Sequence, residues 1–183
     1  AIYNGWRLFY YLYPLIIYIS VIGLKNLYIY FFSKKKASIY FITISLYFVF
    51  ICSQIISMHP HQNVYFNFLA GKDVVKKYDV DYWGVNNSDF LNKIVSLDSN
   101  NNINIATASY TNLSISKLLI DESLRGRINL LGQEYDNADY IFTNYMSEVN
   151  TNINKKYSIP SNFVLFYSLI VNNIKVYDVY KRK

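Results

Sequence analysis

Two long apolar stretches dominate the first third of the sequence. The first runs from Leu8 to Phe32 and is interrupted only by Lys25 and Asn26, and the second runs from Ser38 to Met58 without any charge. At a rise of 1.5 Å per residue, about 20 helical residues cross the ~30 Å hydrocarbon layer of a bilayer. A buried core helix is the alternative for either stretch, but two in succession favour transmembrane helices over about 8–32 and 38–58.

Pro14 lies inside the first apolar stretch. Proline lacks a backbone N–H and clashes with the preceding helical turn, so it predicts either a kink or the start of the helix at this point.

The basic residues indicate how these helices are oriented. Lys34–Lys36 form the short loop between the apolar stretches, and residues 1–58 carry no Asp or Glu. Short loops rich in Lys and Arg stay on the cytoplasmic side, so we expect this loop to be cytoplasmic and everything after Met58 to be extracytoplasmic. The net charge of +6 comes mainly from this region, because residues 59–183 carry 13 basic and 12 acidic residues. That distribution argues against a nucleic-acid-binding protein.

Residues 59–183 have the polar, mixed pattern of a small α/β domain. A helix is predicted from a cap at Ser88, with Phe90, Ile94 and Leu97 on its buried face. A second, shorter helix is predicted with either Asn112 or Ser114 as its cap. Its apolar side would consist of Ile115, Leu118 and Leu119.

The same segment contains several patterns typical of strands. Alternating or continuous apolar runs predict strands over Ile103–Thr107, Ile128–Leu131 and Tyr140–Thr143. Two more runs, Phe163–Val171 and Ile174–Tyr180, are separated by Asn172-Asn173. Two asparagines tolerate the positive φ angles of a two-residue hairpin turn, so the chain is predicted to end in a hairpin.

Residue chemistry alone predicts no catalytic centre. His59 and His61 could supply two metal ligands, but a stable site needs three or four, and Cys52 lies inside a predicted span. A turn at Pro60, where the chain leaves the second apolar stretch, is the favoured interpretation. No glycine-rich phosphate loop or nucleophile-base arrangement is present, so no metal or cofactor is predicted.

Two groups of residues carry a resemblance to a known family. The first is Tyr3-Asn4-Gly5-Trp6-Arg7, which runs into Leu8-Phe9-Tyr10-Tyr11-Leu12-Tyr13-Pro14. The second is His59-Pro60-His61-Gln62-Asn63-Val64-Tyr65-Phe66-Asn67, followed by Ala70-Gly71 and Asp81-Tyr82-Trp83-Gly84. In order and spacing they resemble the C-terminal end of GT-C superfamily glycosyltransferases related to dolichyl-phosphate-mannose protein mannosyltransferases, which are mostly bacterial membrane proteins. Leu8 departs from the usual His of that pattern, and His61 from the usual Tyr.

The resemblance implies transfer of a sugar from a polyprenyl-phosphate donor to an acceptor on the outer face of a membrane, such as the bacterial inner membrane. The catalytic acid of that family lies in an early loop, which this chain does not contain. Because the chain opens at a span with Ala1, we expect a fragment that is inactive without the N-terminal part of the same polypeptide. The alternative is a complete two-span membrane protein whose outer domain binds a partner or an envelope component without catalysing a reaction.

The resemblance also suggests roles for individual residues. Arg7 and His59 would bind the donor phosphate, since a guanidinium suits phosphate oxygens, although an interfacial arginine next to lipid is the alternative for Arg7. Gly84 would permit a tight turn, Trp83 would pack the domain onto the exit of the second span, and Asp81 would cap or brace. The remaining motif residues would be structural: Tyr3, Gly5, Trp6, Pro60, Gln62, Tyr65, Asn67 and Tyr82.

Overall fold

The computed structural model describes residues 10–67, 70–71, 74–146 and 155–183. The chain forms two compact units that divide between Ser57 and Met58. The sequence pattern predicted this boundary one residue later, after Met58.

The first unit consists of two long helices, α1 (Tyr13–Ser33) and α2 (Ala37–Ser57). Pro14 lies in the first turn of α1, so it marks the start of the helix rather than a kink. Both helices are long and apolar enough to cross a membrane, and neither buries any residue. Their rings meet near the connecting loop, where the centroids of Tyr28 and Tyr40 lie 5.6 Å apart.

The second unit is built on one mixed sheet of five strands. The strands are β1 (Ile103–Thr107), β2 (Ile128–Gly132), β3 (Tyr140–Thr143), β4 (Phe163–Val171) and β5 (Ile174–Arg182). Their order across the sheet is β2-β1-β3-β5-β4. β1 runs parallel to β2 and to β3, whereas β5 runs antiparallel to β3 and to β4. The small α/β domain expected from the sequence is thereby confirmed as a mixed-sheet fold.

The described residues of this unit also form four helices and two short 3-10 turns. The helices are α3 (Val74–Lys77), α4 (Asn87–Leu97), α5 (Ser114–Lys117) and α6 (Glu122–Arg125). The 3-10 turns are Gln62–Val64 and Lys155–Tyr157.

α4 covers one face of the sheet with apolar side chains. The ring of Phe90 stacks on that of Phe142 at 4.6 Å, and Ile94 is buried in the same cluster. Leu97 was expected on this buried face but is 59% exposed, so that expectation is wrong. Leu91 and Val95 are buried instead, because the buried side of α4 includes their positions and not that of Leu97.

Ser88 was also predicted to cap α4, and this is wrong as well. The helix begins at Asn87, and the Ser88 hydroxyl donates to the carbonyl of Val85 at 3.5 Å. The Asp81 carboxylate accepts from the backbone N–H groups of Val85 and Asn86 instead. Because Asp81 precedes the helix by several residues, the local cap pattern did not identify it.

The apolar side predicted for α5 is not buried. Ile115, Leu118 and Leu119 are all largely exposed, while Leu113 and Ser116 are buried. α5 makes only one turn and ends at Lys117, so Leu118 and Leu119 lie beyond the helix. The helical spacing that predicted a shared apolar side therefore does not apply to them. Asn112 Oδ1 accepts from Ser114 N at 2.8 Å, which is the turn-forming bond expected of an asparagine before a helix.

The terminal hairpin agrees with the prediction. Asn172 and Asn173 have φ angles of 48° and 62°, as a type I′ turn requires. β5 extends two residues further than predicted, to Arg182, whose guanidinium donates to the carbonyls of Tyr135, Asp136 and Ala138. These bonds hold the charged end of the strand in the sheet.

Candidate functional site at the carboxyl edge of the sheet

The strand order identifies one edge of the sheet as a candidate site. The connection after β1 leads to β2 on one side, whereas β3 lies on the other side of β1. In α/β sheets, ligands bind outside the carboxyl ends of parallel strands at such a reversal. Here those ends are Thr107 of β1 and Thr143 of β3, and we call this side of the sheet the carboxyl edge.

Four of the residues expected from the resemblance lie outside the described part of the chain: Tyr3, Gly5, Trp6 and Arg7. Their predicted roles therefore stay predictions. The other motif residues, from His59 to Asn67 and from Asp81 to Gly84, are described.

His59 and His61 have different surroundings, although only one residue separates them. The exposed His59 accepts at Nδ1 from Gln62 Nε2 at 3.0 Å, across the turn that contains the cis bond to Pro60. His61 is partly buried, and its Nδ1 donates to Asn86 Oδ1 at 2.5 Å. The donor-phosphate role predicted for His59 is not tested by this geometry. In the described part of the chain, no three His, Cys, Asp or Glu side chains are grouped to hold a metal ion.

Asp81 is the central acceptor of the second motif. Its side chain is 2% exposed, and its carboxylate accepts from Val85 N at 3.0 Å, Asn86 N at 3.1 Å and Asn63 Nδ2 at 3.1 Å. A buried carboxylate is stable only with such bonds. Asp81 therefore braces the loop before α4 and ties it to the segment that follows the second apolar helix.

Gly84 occupies a position that only glycine fills without strain. Its φ is +62°, and a Cβ built on it would lie 2.3 Å from Asn87 Nδ2. The turn closes with the N–H of Gly84 donating to the Asp81 carbonyl at 3.0 Å.

Trp83 was expected to pack the domain onto the exit of the second span, and that role stays a prediction. Its side chain is 72% exposed, and its ring meets that of Tyr82 edge-on at 5.1 Å. The turn that Gly84 permits directs this pair outward, and it is Asp81 that faces the interior.

A layer of polar side chains joins the second motif to the strand ends. Asn144, which follows β3, donates through Nδ2 to the Asp81 carbonyl at 3.3 Å and to Thr111 Oγ1 at 2.7 Å. The backbone N–H of Tyr110 donates to the carbonyl of Met146 at 2.7 Å. Asn144, Thr111 and Met146 were not identified from the sequence, because single polar residues after strands are common and carry no distinctive pattern.

The site has hydrogen-bonding capacity but little space. In the described part of the chain, the buried atoms Asn86 Nδ2, Asn87 Oδ1 and Ser109 Oγ have no hydrogen-bond partner. A hollow lined by Tyr78, Asn144, Tyr145 and other side chains has a volume of about 30 Å³. That space holds a water molecule, whereas small-molecule sites usually measure about 300 Å³ or more. This hollow can thus hold water, but it is too small for a sugar.

A second polar cluster, on β5, was not predicted from the sequence either. Asp178 is 1% exposed and accepts from Ser168 Oγ at 2.5 Å, from Lys175 Nζ at 3.1 Å and from the Tyr145 hydroxyl. Desolvation and the bond to Asp178 raise the pKa of Tyr145, so the hydroxyl remains a donor at neutral pH. In the sequence, Asp178 stands alone within an otherwise largely apolar strand. That pattern indicates that Asp178 is buried, but it does not indicate which side chains bind it.

Replacing Gly84 by alanine should destabilise the second unit by about 2 kcal/mol, through backbone strain and the clash with Asn87. Thermal unfolding of the detergent-solubilised chain, followed by near-ultraviolet circular dichroism, measures this change. Gly132→Ala is the matched control, because Gly132 has a φ of +61° but no atom within 4 Å of the place that a Cβ would occupy. Equal losses in the two variants would contradict the proposed steric role of Asn87.

Comparison of the sequence with protein-family models and curated proteins, and of the structure with solved structures, gave no match. Arguments about function therefore rest on the residues themselves.

Proposed function

We propose that the chain is the C-terminal segment of an integral-membrane glycosyltransferase that moves a sugar from a polyprenyl-phosphate donor to an extracytoplasmic acceptor. The observation that carries this proposal is a set of contacts within the second group of residues. Asn63 donates to Asp81, and His61 donates to Asn86, which lies two residues after Gly84. The resembling residues thus form one structural unit, as expected if they are the signature of one domain.

The two long helices support the membrane part of the proposal. In it, α1 and α2 cross the bilayer, Lys34–Lys36 lie in the cytoplasm, and the sheet domain lies outside the cytoplasm. Residues 37–57 of α2 contain no charged side chain, which suits hydrocarbon on all sides.

In this proposal the chain supplies support and donor contacts, not the catalytic acid. The carboxylate that performs the chemistry would come from the N-terminal part of the polypeptide, in line with the resemblance.

The proposed donor contact is tested by replacing Arg7 with alanine in the full-length enzyme. We expect kcat/KM for the polyprenyl-phosphate sugar to fall about tenfold or more, because a charge-assisted bond to phosphate is lost. The amount of folded protein should not change. Transfer of labelled sugar in purified proteoliposomes measures the effect, and Arg7→Lys should retain part of the activity. Unchanged donor KM and kcat would contradict the role of Arg7.

The second candidate is a two-span anchor carrying an extracytoplasmic binding or assembly module. The exposed side chains of Ile115, Leu118 and Leu119 favour it, since adjacent exposed apolar residues are typical of interaction surfaces. The upstream reading frame separates the two candidates. Further apolar spans and an early acidic loop in frame with Ala1 support the glycosyltransferase, whereas a stop codon and ribosome-binding site immediately upstream support the module.

A further inference from the structure

Large aromatic side chains are concentrated at the carboxyl edge of the sheet. Trp83 is 72% exposed and Tyr110 is 66% exposed. We define the aromatic rim as these two residues and four further exposed tyrosines: Tyr65, Tyr78, Tyr82 and Tyr145. Tyrosine and tryptophan are the residues enriched where proteins meet the lipid-water interface.

Hydrogen bonds connect the segments that carry the rim. The loop before α4, which carries Tyr82 and Trp83, is bonded to Asn144 through the carbonyl of Asp81. Asn144 also binds Thr111, the neighbour of Tyr110. Tyr78 and Tyr145 line the same small hollow. The rim is therefore a fixed surface of the second unit and not a set of unrelated side chains.

The opposite edge of the sheet has a different character. It carries Arg127, whose guanidinium donates to the carbonyls of Val95, Asp98 and Asn100, and Arg182 near the end of β5. Exposed polar side chains surround them, including Asn101, Asp136 and Asn137. Leu97 is exposed on this edge, and the beginning of β4, which pairs with the end of β5, exposes Val164, Leu165 and Phe166. The exposed tryptophan and the rim tyrosines lie at the carboxyl edge, and we call the part of the opposite edge around Arg127 and Asn101 the polar edge.

The chain joins the domain at its aromatic edge. Met58, the first residue of the second unit, is 3% exposed, and His61 is bonded to Asn86 beside the rim. Ser57, the last residue of α2, precedes His61 by only four residues, a separation of at most about 14 Å along an extended chain. If α2 crosses a bilayer, as in the proposed function on which this inference rests, the surface beside His61 must remain close to the headgroups.

We propose that the aromatic rim is a membrane-contact surface, with Trp83 and Tyr82 inserted among the lipid headgroups. A bilayer interface suits these residues, because each combines an apolar ring with one polar group and because the chain that leaves α2 enters the domain beside them.

The test uses the native fluorescence of Trp83 in the full 183-residue chain. A Trp6→Phe variant leaves Trp83 as the sole tryptophan, because the sequence has only two. It is reconstituted into phosphatidylcholine-phosphatidylglycerol vesicles, with or without acyl chains brominated near the headgroup. Bromination should reduce Trp83 emission about twofold if the ring lies in the interface.

A tryptophan at the polar edge provides the matched control. The variant Trp6→Phe, Trp83→Phe, Asn101→Trp should lose less than about a tenth of its emission in brominated vesicles, because the polar edge faces water. Aqueous iodide should quench this control strongly and Trp83 weakly. Quenching of Trp83 by iodide to the same extent as the control, without any effect of bromination, would overturn the proposal. A change of Trp83 emission on adding polysaccharide, with none on bromination, would also overturn it.

Extraction with alkaline carbonate separates this failure from failure of the proposed function. Release of the chain from the vesicles means that α1 and α2 do not span the membrane, which contradicts the proposed function and this inference together. Retention of the chain with Trp83 unquenched by bromine contradicts the membrane-contact surface alone. Circular dichroism and gel filtration in detergent confirm beforehand that each variant is folded.

Discussion

Replacing Asp81 by alanine should lower the free energy of unfolding of the sheet domain by about 3 kcal/mol. The carboxylate satisfies two backbone N–H groups before α4 and the side-chain amide of Asn63. Its removal leaves these donors without a partner in a buried place, and each unsatisfied donor costs about 1–3 kcal/mol. Chemical unfolding in detergent, followed by near-ultraviolet circular dichroism, measures the loss.

Two variants separate the bracing role of Asp81 from a general effect of charge. Glu134→Ala removes a carboxylate from an exposed side chain elsewhere in the domain, and its effect should stay within about 0.5 kcal/mol. Asp81→Asn keeps one acceptor oxygen, so it should be less damaging than Asp81→Ala. If Asp81→Ala were as stable as Glu134→Ala, the carboxylate would not brace the loop before α4.

The domain should lose stability steeply in alkaline solution. Tyr140 and Tyr177 are 1% and 0% exposed, and they donate to the carboxylates of Asp98 and Asp89 at 2.9 Å and 2.8 Å. Desolvation, followed by the bonds to these carboxylates, raises the pKa of each hydroxyl above the ordinary value of 10.0.

The sign of the pH effect follows from proton linkage. Above pH 10 the unfolded chain releases these two tyrosine protons while the folded domain retains them, so the free energy of unfolding falls as the pH rises. The stabilising contribution is complete below pH 10. Each proton contributes about 1.4 kcal/mol per pH unit above pH 10, so we expect the two together to lower the free energy of unfolding by about 5 kcal/mol between pH 9 and pH 12. Denaturant titrations at successive pH values provide the measurement.

Phenylalanine substitutions test the source of this pH dependence. The double variant Tyr140→Phe, Tyr177→Phe should show a flatter decline of stability with pH, because it has no buried hydroxyl to ionise. Tyr110→Phe removes a hydroxyl from a side chain that is 66% exposed and should leave the decline unchanged. A decline as steep in the double variant as in the natural chain would assign the effect to other groups.

Local sequence patterns predicted most of the regular structure. The strands β1 to β4 and the hairpin turn at Asn172-Asn173 follow from runs of apolar residues and from the conformational tolerance of asparagine. The two long helices follow from length and apolar composition. In each case the signal lies within the segment itself, so no knowledge of tertiary contacts is needed.

The sequence-based predictions failed where residues far away in the sequence determine a side chain's burial or hydrogen bonds. The cap expected from Ser88 is absent, and the Asp81 carboxylate binds the N–H groups of Val85 and Asn86 just before the helix. The exposure of Leu118 depends on α5 ending after one turn, and the burial of Asp178 depends on strands that pair only in the folded sheet.

The candidate site was predictable only as a set of motifs. Asp81 and Gly84 were identified as a bracing residue and a turn residue, and their surroundings in the structure show what they brace and why the turn needs glycine. The partners Asn144 and Thr111 come from loops after separate strands, and nothing in one sequence connects those loops. The strand order brings them together.

The position of β5 in the sheet affects the order in which the sheet can be completed. β5 follows β4 in the sequence, yet it lies between β3 and β4 and pairs with both. On its β5 side, β3 therefore lacks its neighbour until the hairpin of β4 and β5 has docked, and β4 joins the sheet only through β5. Completion of the sheet thus requires contacts between residues far apart in sequence, which are slower to form than local ones.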